Sequence, residues 1–437
     1  MQDPSLVIVP YRYKATKLYS EIPISGIGDF TVGRALNTAT RVNSNGYIET
    51  VNADVPRLDY YATGGVAGCP ALLVEPSGTN LVKQSEAFNT AEYILVRLNA
   101  FGSGSVANTT ATKDPFNGNN ADYIQEDSTA SSTHLILQIN AGQVSGTNLT
   151  FSVFAKAAER TRLNLFNNGG GVGNASFDLT AGTATLLGGV SASIQNYGNG
   201  WYRCILTYTP NATGNSGLYV FGAQVETGSV ATSYIPTTTG SVTRNADAIS
   251  VSGAVSGVIG QSEGTIYAEV DIRNMAKETY IIRIDDGATS NIVSLRTLTG
   301  NVVRTAITAP TTSGTINISS AAFTAGIVKI AFAYKSGEIA VSVNGATALT
   351  TNGTFTFGAS LSRVNLGSNV GGEFNDRIRA VALYTTRLDD ADLMVLTSPT
   401  YYSNVRDMIW DTFVARTSTF SELPGCLQTR HNELITL

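Results

Sequence analysis

Between residues 149 and 156 the chain reads Leu-Thr-Phe-Ser-Val-Phe-Ala-Lys. Leu149, Phe151, Val153 and Ala155 share one side of that run, and polar residues fill the other side except at Phe154. A period of two is the mark of a strand with one buried face. Comparable runs follow at 201–208 and 218–221, separated by Asn- and Gly-rich loops such as 167–171. Farther on, Ile266, Ala268, Val270 and Ile272 alternate with Tyr267, Glu269, Asp271 and Arg273. Val328, Ile330, Phe332 and Tyr334 share one face of another run. Ser336-Gly337 turns that run into 338–343 and Asn344-Gly345 turns again, a strong hairpin signal. The same alternation sets Arg377 and Arg379 against Ile378, Ala380 and Ala382. Short strands with turn signals between them, and no long amphipathic helix, predict β-sandwiches or a jelly roll. One short helix is predicted to start at Asp389, whose side chain can cap the amides of Ala391 and Asp392. Val405, Met408, Ile409 and Phe413 predict a second one at helical spacing.

The first 80 residues read differently. Six of the twelve prolines fall there, with Tyr11, Tyr13, Tyr19, Tyr47, Tyr60 and Tyr61, and no sustained period. The aromatic content is too high for a disordered tail. The reading is an extended arm that orders by lying on another protein surface, a small β-rich domain being the alternative. The expected organisation is therefore an arm over 1–80, a first sandwich over 81–247, a second over 248–396 and a C-terminal segment with a short helix over 397–437.

Charged residues make up only 14% of the chain and the net charge is −5. This mild acidity argues against a nucleic-acid partner, which calls for a basic stripe. No run approaches 18 apolar residues, so no membrane insertion by a helix is expected. The opening Met1-Gln2-Asp3-Pro4-Ser5 does not read as a secretory signal. Cys69, Cys204 and Cys426 are sparse, odd in number and without a CxxC pair. They predict free buried thiols made in a reducing compartment.

The residues carrying chemistry are few. His134 and His431 are the two histidines, and neither sits in a nucleophile or zinc signature. The glycine run 169–171 lacks the Lys-Ser/Thr of a phosphate loop. Glu126-Asp127 and Asp285-Asp286 are the paired carboxylates a glycoside hydrolase would need. Asp285-Asp286-Gly287 lies between two strand patterns and reads first as a turn, then as a weak calcium candidate. Trp201, Tyr202 and Arg203 start a strand after the loop 196–200. Either their aromatic rings are core, or one of them lines a sugar-binding patch. The chain is expected to be no enzyme and to need no cofactor.

Residues 41–50 (Arg-Val-Asn-Ser-Asn-Gly-Tyr-Ile-Glu-Thr) followed by Val55-Pro56-Arg57-Leu58-Asp59-Tyr60 resemble the opening of many tailed-bacteriophage structural proteins. Cys69-Pro70-Ala71-Leu72-Leu73-Val74-Glu75-Pro76, Thr79-Asn80-Leu81 and Ser85-Glu86-Ala87-Phe88 carry the same resemblance. Residues 223–229, 232–237 and 242–244 are similar to the close of the jelly-roll or head-spike-fibre domain in such proteins. Residues 260–396 resemble a concanavalin-A-like, laminin-G-type sandwich through Tyr334-Lys335-Ser336-Gly337, Val343-Asn344-Gly345 and Ala382-Leu383-Tyr384.

These resemblances imply an all-β protein of two tandem antiparallel sandwiches, a jelly roll and then a concanavalin-A-like unit. They imply a head- or tail-attached fibre in a virion, made in the host cytoplasm. Its partners would be other virion proteins, further copies of itself (a trimer) and a host-surface glycan. The arm would dock on the particle through residues such as Tyr11, Tyr13, Tyr19, Arg57 and Tyr60, and its removal would leave both sandwiches folded. The alternatives are a carbohydrate-binding receptor adhesin and a glycan depolymerase.

Overall fold

The computed structural model describes residues 2–35, 37–61, 70–96, 98–99, 111–126, 135–138, 146–167, 173–209, 221–273, 278–312, 315–367 and 373–398. The chain is all-β, built of antiparallel sheets with one short α-helix among the described residues. Strand Glu263–Ile272 is the spine of the larger sandwich. It pairs with Gly326–Lys335 on one side and Asp376–Tyr384 on the other. Its alternation works as the sequence predicts: Ile266, Ala268, Val270 and Ile272 enter the main core. The opposing sheet carries Thr279–Asp285, Ile292–Leu298, Val302–Thr308 and Arg363–Leu366, whose Ile282, Ile284, Val293, Leu295 and Val364 fill the same core. Helix Asp390–Thr397 covers the outer face of the spine's sheet. There Leu393 and Leu396 pack on Tyr267 and on Ala331, Ala333, Ala380 and Ala382, four small residues that let the helix approach. As predicted, Asp389 caps this helix, accepting from the Asp392 amide at 2.7 Å. The predicted 405–413 helix, and with it Cys69, Cys426, His134 and His431, lies outside the described residues.

Residues 1–80 are not an arm. Leu6–Ile8 pairs with Asp376–Tyr384, Leu6 facing Leu383. Ala71–Val74 pairs with the other half of the same strand, Val74 facing Asp376. Phe30–Gly33 pairs with Ala248–Ser252 in the opposing sheet. Leu6, Ile8, Leu18, Phe30, Val32, Leu58, Leu72 and Val74 all belong to the main core. The reason is visible in the composition: short continuous apolar runs such as Leu6-Val7-Ile8 carry no period because both their faces are covered. Prolines at 10, 70 and 76 flank these strands, where a missing amide donor is tolerated.

The smaller sandwich is consequently an insertion rather than a tandem neighbour. Gly78–Asn80 and Val242–Arg244 pair antiparallel, Asn80 facing Val242, so the chain enters and leaves through one two-stranded neck. Beyond the neck a four-stranded sheet runs in the order Ser191–Asn196, Trp201–Tyr208, Leu149–Lys156, Phe221–Thr227. A three-stranded sheet of Arg162–Asn167, Gly173–Asp178 and Thr183–Gly188 packs over it. Val153, Ala155, Leu163, Leu165, Phe177, Cys204, Leu206 and Val225 form their shared core. The Cys204 thiol is fully buried, and burial alone pushes its pKa up, so it is an inert apolar filler. Gly222 has φ 66°, and a Cβ there would lie 2.9 Å from the Tyr234 ring and 3.2 Å from Phe154. The residue must be glycine for the rings to close.

Asp122, in this insertion, is only 5% exposed. Its Oδ2 accepts from the Phe88 amide at 3.2 Å and its Oδ1 has no partner. Burial raises its pKa to about 6, against a single opposing hydrogen bond from Phe88. A raised carboxylate pKa makes the fold less stable above pH 6, and that cost disappears as pH falls toward the ordinary 3.8. Asp122→Asn keeps the acceptor and removes the charge. Denaturant melts should show a gain of up to about 3 kcal/mol at pH 8 and none at pH 4. An equal effect at both pH values would contradict the buried-charge account.

Candidate functional site

The two sandwiches meet at the neck, where charges are buried together. The Arg57 guanidinium is fully buried and donates from Nη1 to Glu75 Oε2 at 2.6 Å, Ser233 Oγ at 2.9 Å and Thr40 O at 3.3 Å. Its Nη2 binds Asp247 Oδ2. Asp247 also receives Arg34 Nη1 at 2.9 Å and the Glu75 amide at 3.0 Å. Arg244 Nη2 stands 3.4 Å from Glu75 Oε2 and donates to Pro76 O at 2.7 Å. Burial by itself would raise the pKa of Glu75. Arg57 and Arg244 outweigh burial, and Ser233 adds two bonds at 2.6 Å, so the carboxyl is held down to about 2. These residues come from before the neck, from the end of the insertion and from after the neck, so they lock the two bodies together. A second tie is the hairpin of Ala39–Val42 and Ile48–Val51, which reaches across to the insertion. Thr40 Oγ1 donates to Tyr234 O at 2.6 Å, and Ile48 packs with Phe154, Trp201, Phe221 and Tyr234.

Two neighbouring crevices at this seam share part of their lining. The larger, about 430 Å³, is lined by Ser77, Thr79, Thr227, Ser229, Thr232 and Thr279, with Asn375 and the apolar Pro76 and Val230. The one ionisable group on its wall is Glu226. Its oxygens accept from Gln224 Nε2 at 2.6 Å, Thr232 N at 2.9 Å and Thr232 Oγ1 at 2.6 Å. Burial leaves its pKa raised despite these bonds. Apart from Glu226, the wall carries side chains with uncharged hydroxyl and amide donors and acceptors beside apolar surface. Thr79 and Thr243 share one hydroxyl hydrogen bond at 2.8 Å, as do Thr279 and Thr297 at 2.6 Å. A hydroxyl has one donor and two acceptor positions, so each retains capacity for a ligand. The smaller crevice, about 40 Å³, touches Asp59, Gln195, Tyr197, Arg203 and Arg377 and shares Thr232 and Asn375 with the groove. Beside it the Tyr61 ring lies between the guanidinium groups of Arg377 (4.6 Å) and Arg273 (5.5 Å) and meets Tyr197 at 5.0 Å.

The residues singled out in the sequence mostly lie elsewhere. Trp201 is 5% exposed and its Nε1 donates to Lys113 O at 2.8 Å. It is core, with no face open for stacking a sugar. Tyr202 points to the opposite side of the strand and packs half-buried on the insertion's core. Arg203 returns to the Trp201 side. Alternation thus divides the triplet between two faces, which prevents one patch. Asp285 is fully buried between Arg283 Nε (2.6 Å) and Arg363 Nε (2.7 Å), so its oxygens are taken. Asp286 accepts from the Ala288 amide at 2.9 Å and Asn291 Nδ2 at 2.7 Å, which makes it a turn residue. Neither is free to ligate calcium, and no group of three metal-ligating residues converges among the described residues. The five residues expected to dock the arm serve their own sandwich. Tyr11 donates to Glu21 Oε2 at 2.9 Å, and Arg12 stacks on Tyr11 and Tyr19 at 5.4 and 5.7 Å. Tyr13 packs on the main core, Arg57 belongs to the lock, and the Tyr60 amide binds Val42 O at 2.9 Å. Sequence reading missed the groove because Ser and Thr abound throughout the chain and nothing local distinguishes these few.

No family model and no curated protein matches the chain. Among solved structures it is similar to the CBM40 of the Ruminococcus gnavus IT-sialidase, at 16% identity over 33% of this chain and 88% of that one, TM-score 0.30. It is similar to the binding domain of Botulinum neurotoxin DC in complex with rat synaptotagmin II, at 15% identity over 35% and 40%, TM-score 0.29. A native heptameric SAP-like pentraxin from Limulus polyphemus is similar at 14% identity over 32% and 72%, TM-score 0.26. These are partial and distant likenesses.

Proposed function

We propose that the chain is a non-enzymatic, glycan-binding attachment protein whose binding site is the groove at the seam. One observation carries this reading: about 430 Å³ of space at the seam whose wall carries six Ser and Thr side chains and the amide residue Asn375. A saccharide offers a dense array of neutral donors and acceptors, and a wall of Ser, Thr and Asn groups answers it. The buried lock holds that wall rigid, so little ordering cost falls on binding. Single-site affinity of such a shallow polar groove is modest, and several copies in one homo-oligomer compensate through avidity.

A glycan array followed by calorimetry on the intact chain tests the proposal. Thr79→Val and Thr227→Val should each weaken a hit by about threefold to tenfold, the worth of one hydrogen bond. An array without hits would remove the reading.

The setting we propose is a phage particle, with the chain as a head- or tail-attached appendage. What favours it is the resemblance of residues 41–60, 69–88 and 223–244 to tailed-phage structural proteins. Arg57, Glu75, Ser233 and Arg244 of the lock all lie within those stretches. Gold-tagged antibody on intact virions should label capsid or tail, and unlabelled particles would exclude this setting.

A further inference from the structure

The two sheets of the insertion are closed along one side and open along the other. On the closed side, Phe221–Thr227 is bonded by the chain itself: Leu81 N donates to Val225 O at 2.8 Å and Ala223 N to Ser85 O at 2.9 Å. Arg162–Asn167 buries its inward Leu163 and Leu165 completely. The other two edge strands, Thr183–Gly188 and Ser191–Asn196, are joined through Gly189 and Val190 and lie beside each other. Register sets Ala184 and Leu186 opposite the buried Phe177 and Ala175, and Ala192 and Ile194 opposite the buried Leu206 and Cys204. Residues directly opposite share a face, so all four point toward the insertion's core. None is fully covered: Leu186 is 42% exposed and the other three are half-buried. Leu187, beside the bulge in this strand pair, is 60% exposed and Val190 50%. From Leu179 through Tyr202 the sequence holds no Asp, Glu, Lys, Arg or Pro, the residues that usually blunt an edge. The larger sandwich treats its own uncharged edge, Thr315–Ser319, differently. There the chain's own Gly353 sits so close that an added Cβ would lie 2.8 Å from the Ile316 side chain, and Ile318 is buried.

We infer that this open edge is where two copies of the chain pair, related by a two-fold axis. The inference stands on the fold and is independent of what the seam groove binds. Half of the main-chain amides and carbonyls of an edge strand face away from its one partner, which makes the edge a template for a further strand. A second copy supplies that strand in the orientation these sheets already use. A two-fold axis normal to the sheets sets Ser191–Asn196 antiparallel to its own mate and Thr183–Gly188 to its own, so both sheets double across the contact. Charge favours a copy over a foreign partner. The chain carries −5, yet the edge contributes none of it, so two copies meet there without opposing like charges. A partner recognised by its charge finds nothing to answer it. Leu186, Leu187 and Val190 of each copy meet the same apolar side chains of the other, which removes from water what each copy leaves open. Such a pair also closes on itself and leaves neither edge free to recruit a third chain.

Sedimentation velocity on the intact chain at micromolar concentration tests this, with far-UV circular dichroism to check folding. The chain should sediment at twice its own mass. Leu187→Lys and Ser193→Lys each put a charge on an exposed position of the open edge, one per strand. Each should weaken pairing by about tenfold or more, because the two-fold axis brings the new charge toward its own copy. Two variants on different strands guard against misfolding of either. Asn164→Lys, exposed on the closed side, should leave pairing unchanged. A monomer at every concentration would overturn the inference, and the edge would then be left for a strand from a different protein. A dimer indifferent to both edge lysines, or equally weakened by Asn164→Lys, would place the contact elsewhere and overturn it as well. A trimer would overturn the two-fold pairing.

Discussion

A chain that begins at residue 81 does not fold its larger sandwich. It loses Leu6, Ile8, Leu18, Phe30, Val32, Leu58, Leu72 and Val74 from one core. Burying each such side chain is worth about 1.5–3 kcal/mol, so their loss exceeds roughly 10 kcal/mol. That is comparable to the entire stability of an ordinary domain, about 5–15 kcal/mol. The truncation also exposes edges in both sheets, because Leu6–Ile8 and Ala71–Val74 line one strand and Phe30–Gly33 another. Limited proteolysis of the truncated protein should leave the insertion as the resistant fragment and digest residues beyond the neck. Two equally resistant sandwiches would mean that the first 80 residues are an ornament after all.

Removing one acid from the lock should also cost a large share of the stability. Asp247→Ala leaves the buried Arg57 with Glu75 alone and the buried Arg34 with only the backbone carbonyls of Asn37, Asn52 and Val55. Breaking a buried ion pair from one side costs about 3–5 kcal/mol, which denaturant melts would read directly. Acid should reach the same network more gradually. Glu75 is depressed from an ordinary 4.5 to about 2 in the folded state. Its contribution is complete above pH 4.5 and is lost as pH falls from there to 2, about 3 kcal/mol in all. Glu75→Gln should be less stable at neutral pH and should flatten the acid limb. An unchanged acid limb in that variant would place the acid sensitivity elsewhere.

What was legible in the sequence were features whose causes are local. The alternation at 149–156 and 266–272, the Ser336-Gly337 turn (Gly337 has φ 84°) and the cap at Asp389 all work as read. The strands of the first 80 residues were not legible, because what covers them lies hundreds of residues away. Alternation also misled where the polar side of a strand is buried. Thr150, Ser152, Arg203, Thr207, Gln224 and Glu226 occupy the outward positions of the four-stranded sheet, yet all are buried. Asn80, the Thr232–Tyr234 stretch and the Ala39–Val51 hairpin cover that face and bond to it. The lock had one available signal. Arginines outnumber lysines in the chain, and arginine is the cation suited to buried, forked pairing. The phrases resembling phage proteins carried the rest of it: Arg57, Glu75, Ser233 and Arg244 are scattered in sequence and meet only at the neck.

The route of the chain through the larger sandwich also sets a timetable for its birth. Ser5 bonds to the carbonyl of Leu383, a partner 378 residues later. A ribosome adding about 5–20 residues per second needs roughly 7–28 s to travel from the second neck strand, Val242–Arg244, to that partner strand. During that interval the insertion has all of its own strands and can close first. Leu6–Ile8 and Ala71–Val74, already outside the tunnel, still lack the strand Asp376–Tyr384 that they both pair with. Synthesis therefore holds open an apolar, unpaired edge for far longer than most small domains do, and the nascent chain's chief hazard is sticking to a second nascent copy before its own C-terminal half arrives.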